Sequence, residues 1–80
     1  MTDSEKARDE IINDLQSKAV NAVIKWEYGI YTKAYTKALV HRCYMTVKEL
    51  KKPLEAKGWD FSMVEYAFGI LAEKLGSSIV

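Results

Sequence analysis

Apolar residues recur every three or four positions through the first third of the chain, at Ala7, Ile11, Leu15, Ala19, Ala22, Val23, Trp26 and Ile30. That spacing lines one face of an α-helix, whose period is about 3.6 residues. Asp3 or Ser4 is placed to accept hydrogen bonds from the free first-turn N–H groups. Glu5, Asp9 and Glu10 suit the positive end of the helix dipole, and Gly29 can close the far end in the left-handed conformation. The pattern predicts helix 1 over about residues 4–28.

Tyr35, Leu39, Cys43, Val47 and Leu50 form a second row behind Thr32, a candidate cap. Pro53 has no N–H to donate and its ring collides with the preceding turn, so helix 2 is predicted over about 32–51. A short turn over 53–57, opened by Pro53 and closed by Gly58, follows. In FSMVEY, Ser62 and Glu65 have the spacing of a capping box, and Phe61 and Tyr66 that of a hydrophobic staple. Helix 3 is predicted over about 62–75, with Val64, Ala67, Phe68, Leu71 and Leu75 on its main face and Gly76 as its stop. The remaining tail, SSIV, is either a frayed end or a short docking peptide. No strand-like alternation or internal repeat competes, so the expectation is an all-α, three-helix bundle forming one domain over 1–80.

The outer helices carry more apolar surface than one core uses. Val20, Ile24 and Tyr28 form a second stripe on helix 1, more than roughly 100° from its core arc, with Tyr31 close behind. Helix 3 repeats this with Met63, Tyr66 and Ile70, while Gly69 in mid-helix costs roughly 1 kcal/mol relative to Ala unless something approaches closely there. Two readings compete: Met63 and Tyr66 pack the entry loop beneath Trp59 and Phe61, or the stripes await a partner. Trp26 and Trp59 are expected as core anchors, Trp59 being the better placed of the two to be an exposed contact.

Composition sharpens this. With 80 residues and 49% hydrophobic content, the chain lies far from the composition of disordered segments. No apolar run approaches the roughly 18 residues of a membrane span, and the amino terminus is acidic where a secretory signal is basic and then apolar, so a soluble cytoplasmic protein is expected. Cys43 is the single cysteine and has no partner for an internal disulfide.

The net charge is +1, but it is unevenly spread. Residues 1–24 hold three basic and five acidic side chains, residues 25–57 eight and three, and residues 58–80 one and three. The basic middle can attract a polyanion, or the acidic ends can cover it, within one chain or between two. On a helical wheel Lys33, Lys37, His41, Tyr44, Lys48, Lys51 and Lys52 share an arc opposite Leu39, Cys43, Val47 and Leu50. This is either a wet face that keeps the protein in solution or a stripe for nucleic acid; lysine predominates over the forked arginine that phosphates favour, which weighs toward the wet face.

His41 and Cys43 diverge by about 200° on a helix and cannot share an ion, so no metal site is expected. No phosphate-cradling glycine loop or local triad motif occurs, and no catalytic residues or cofactor are assigned. The reading is therefore a non-enzymatic protein that binds proteins: itself as a homodimer, a larger partner, or both. It belongs with small regulators, adaptors or inhibitors of larger complexes, including those carried by viruses and mobile elements. The contact candidates are Val20, Ile24, Tyr28, Tyr31, Trp59, Met63, Tyr66 and Ile70. A nucleic-acid binder using the basic arc of helix 2 is the alternative.

Overall fold

The structure, a computed structural model, describes residues 3–76. Three α-helices follow one another: α1 (Asp3–Glu27), α2 (Lys33–Glu55) and α3 (Ser62–Lys74). At about 1.5 Å per residue, α1 and α2 are rods of about 35 Å. They run side by side within an envelope of 41 × 21 × 16 Å, and the shorter α3 lies against both. The SSIV tail falls outside the described residues.

Two boundaries follow the expected caps and two are corrected; Asp3 and Ser4, the cap candidates for α1, both lie inside the helix. Thr32 caps α2 as its chemistry suggests, Oγ1 accepting from the Tyr35 N–H at 3.1 Å. Gly29, at φ +77°, closes α1: its N–H donates to the Trp26 carbonyl at 2.9 Å and that of Ile30 to the Lys25 carbonyl at 2.8 Å.

The first correction concerns Pro53, which does not stop α2. The helix continues to Glu55, and Gly58 closes it by the same left-handed turn, with the Trp59 N–H donating to the Leu54 carbonyl. Pro53 is exposed and in the last turn, so its missing donor deserts one carbonyl at the wet edge. Leu54 is fully buried beside it, and burying a leucine is worth about 1.5–3 kcal/mol, comparable to the cost of the proline. The expected separate turn over 53–57 is instead the end of α2.

The second correction concerns the entry to α3. Ser62 is the first helical residue and makes no capping box with Glu65; Asp60 Oδ1 accepts from the Ser62 N–H at 3.0 Å. The staple is also absent: Phe61 is buried and stacks on Trp59 at 6.2 Å, while Tyr66 points to solvent.

The core is a continuous cluster of Ile12, Ala19 and Val23 from α1, Val40, Cys43, Val47 and Leu54 from α2, and Phe68, Leu71 and Leu75 from α3, with Phe61 at its end. Each row lies close to the expected arc but not on it. Ile12 takes the core position predicted for Ile11, and Ala7 and Ile30 are exposed. In α2 the row starts at Thr36, not at Tyr35, which is exposed. The buried Thr36 hydroxyl donates to the Thr32 carbonyl at 2.8 Å, so a polar residue sits in the core with its hydrogen bond made. Leu39, Leu50, Trp26 and Trp59 pack half-buried around this cluster.

Candidate interaction surfaces

Helix α3 is apolar on two opposite sides. One side buries Phe68, Leu71, Ala72 and Leu75. The other presents Met63 (76% exposed), Tyr66 (66%) and Ile70 (39%), at i, i+3 and i+7, so that they form a single outward stripe. Packing of Met63 and Tyr66 beneath Trp59 and Phe61 is thereby overturned. Gly69 borders this stripe, and a Cβ built on it would meet nothing within 4 Å. Among the described residues, nothing approaches closely enough at this point to require a glycine.

At the far end of the molecule, the carboxyl end of α1 and the turn into α2 expose Ile24 (43%), Tyr28 (80%), Ile30 and Tyr35. Tyr31 is half-buried, its ring edge-on to Tyr35 at 4.7 Å and 5.2 Å below the Lys25 ammonium. Of the remaining contact candidates, Val20 and Trp59 are half-buried against the core and offer less surface.

The expected basic arc of α2 does not stay together. Lys33, His41, Lys48 and Lys52 are exposed and Lys37 is half-exposed. Tyr44 is instead drawn in against Phe68, with ring centroids 5.5 Å apart. Lys51 is half-buried and paired with Glu65 of α3 and with Glu55. The flank predicted to be wet is therefore where α3 docks, and α3 neutralises one of its cations. His41 faces solvent while Cys43 is buried, so the two lie on different sides of α2. Burial pushes the Cys43 thiol above its ordinary value, and Lys18 and Arg42 nearby only partly offset this, so it rests as a neutral thiol.

The opposite flank of the α1–α2 pair holds a feature that the periodicity did not disclose. A groove of about 580 Å³ runs between the two helices, with no residue of α3 in its wall. Leu15, Ala22, Leu39 and Cys43 form its apolar floor, Tyr31 and Tyr35 its upper end, and Lys18, Lys25 and Arg42 its rim. None of its lining residues is acidic. The sequence held no separate signal for it, since Leu15 and Leu39 belong to the same apolar rows that supply the core. Recognising the groove requires knowing which flanks α3 leaves open.

Taken together, these features define a small all-α bundle with solvent-facing apolar stripes and an open, cation-rimmed interhelical groove. No protein-family model, curated protein or solved structure matches this chain.

Proposed function

We propose that this protein is non-enzymatic and acts by binding other proteins, a second copy of itself among them, in the manner of a small regulator, adaptor or inhibitor of a larger complex. The observation that carries this reading is the outward stripe of Met63, Tyr66 and Ile70, on the face of α3 opposite its buried side. Large apolar residues clustered in water are costly for a folded chain, and Tyr and Met are types that protein interfaces favour. Gly69 beside them supports the same reading, because a mid-helix glycine with open space above it lets another backbone come close.

Met63→Ser with Tyr66→Ser should leave the unfolding free energy within about 0.5 kcal/mol of native, since neither side chain is in the core. It should abolish binding to a partner reconstituted from purified components. Gly69→Ala should raise stability by about 0.5–1 kcal/mol and weaken that binding. Native affinity in both variants overturns the reading.

The exposed Lys33, Lys48 and Lys52, with the half-exposed Lys37, favour a second reading, contact with nucleic acid along α2. Retention on duplex DNA that falls steeply with salt and is lost in Lys37→Glu with Lys48→Glu would establish it in place of the first.

A further inference from the structure

We infer that the α1–α2 groove is the seat of a second copy of this chain, which lays the acidic amino-terminal half of its own α1 into it, antiparallel to the first. The inference rests on the self-association proposed above and specifies its surface.

Two long helices side by side form two grooves, one along each flank. Helix α3 fills one, as Tyr44 on Phe68 and Lys51 on Glu65 show, and the other is the open groove rimmed by Lys18, Lys25 and Arg42. A rod of helical width completes such a site, as the fourth helix does in a four-helix bundle. Charge selects which rod. The rim is cationic and its lining has no acid, so the occupant must bring carboxylates around an apolar seam.

The chain carries such a segment on the same face of α1. Continued toward the amino terminus at about 100° per residue, the face bearing Lys18, Asn21 and Lys25 passes through Asp14, Ile11, Glu10, Ala7 and Asp3. All five are exposed, Ile11 at 49% despite being a large aliphatic. This face is thus acidic in its first half and basic in its second, with apolar positions along it. Reversing one copy on another about Gln16 and Ser17 brings the acidic half of each against the basic half of the other, twice, by one two-fold axis. Asp14 and Lys18 lie 3.5 Å apart within one chain and are both well exposed, so near that axis each can exchange its partner across the interface. The four helices α1 and α2 of both copies then form a shared core. The Met63, Tyr66 and Ile70 stripes remain outside, open to a further partner.

Sedimentation of the native chain and of two charge-reversed variants tests this. One carries Lys18→Glu, Lys25→Glu and Arg42→Glu; the other carries Asp3→Lys, Glu10→Lys and Asp14→Lys. The native chain should form a dimer that weakens with salt. Each variant by itself should dimerise about tenfold or more weakly, and an equal mixture should recover the native affinity, because acid and base then meet again at both symmetric sites. Where a triple variant loses helix content, Arg42→Glu and Glu10→Lys carry the same comparison singly and mixed.

A native dimer that neither variant weakens, or a mixture no tighter than its components, overturns the inference. A dimer lost only with Met63→Ser and Tyr66→Ser overturns it while supporting the broader reading. A native chain that stays monomeric up to about 1 mM overturns it together with self-association, and leaves binding of a different protein through α3 standing.

Discussion

At the scale of single residues, hydrogen-bonding chemistry decided where helices begin, and the choice between neighbours was a matter of geometry. Thr32 and Asp60 each offer an oxygen to an N–H left free by a first turn. Ser62, one position later, already lies inside α3, and its N–H and hydroxyl hold the Asp60 carboxyl below its ordinary value of 3.8. The sign of the pH dependence follows. A carboxyl whose folded value is depressed stabilises the fold fully above its unfolded value, and that contribution disappears as pH falls through the folded one. Thermal unfolding of the native chain measured from about pH 5 down to about pH 2 should therefore include a loss due to Asp60 below the ordinary carboxylate range. Asp60→Asn, which keeps an acceptor without the charge, should flatten that part of the curve; an unchanged acid slope would show that the cap does not contribute.

At the scale of elements, Pro53 shows that a breaker acts through its surroundings. A proline in a helix interior costs about 3 kcal/mol, but in the last turn of α2 the lost donor concerns a carbonyl at the exposed edge, and Leu54 anchors the turn in the core. Pro53→Ala should restore that hydrogen bond and relieve the ring's contact with the turn before it. The gain is offset in part because alanine loosens the unfolded chain, leaving about 1–2 kcal/mol of added stability in urea unfolding. Destabilisation would mean that the ring itself packs usefully. The same dependence on surroundings explains α2's wet flank. Its lysines look uniform on a wheel, yet Tyr44 and Lys51 face α3 and the others face water.

For the whole molecule, stability rests on a thin core, since a chain of this length holds only about 4–12 kcal/mol against unfolding. Phe68 is fully buried at the junction of α3 with Tyr44, so Phe68→Ala should cost about 3–5 kcal/mol and leave the bundle near its unfolding threshold. Loss of the cooperative transition in circular dichroism would show it; a shift below about 1 kcal/mol would contradict the packing described. The sequence by itself determined that there are three helices, where α1 and α3 begin and end to within a residue, and that α1 and α3 carry apolar surface on more than one side. Those properties follow from period and glycine stops, which are local; the capping box and staple that pointed to the start of α3 are not formed, and the Asp60 carboxylate meets the Ser62 N–H instead. Only the tertiary structure decided which neighbour is buried, as between Ile11 and Ile12 or Tyr35 and Thr36, because adjacent residues differ by about 100° and the docking of another helix selects between them. It also decided which flank of the α1–α2 pair α3 covers. The cation-rimmed groove on the other flank exists because two helices side by side have two flanks and a single third helix fills only one of them.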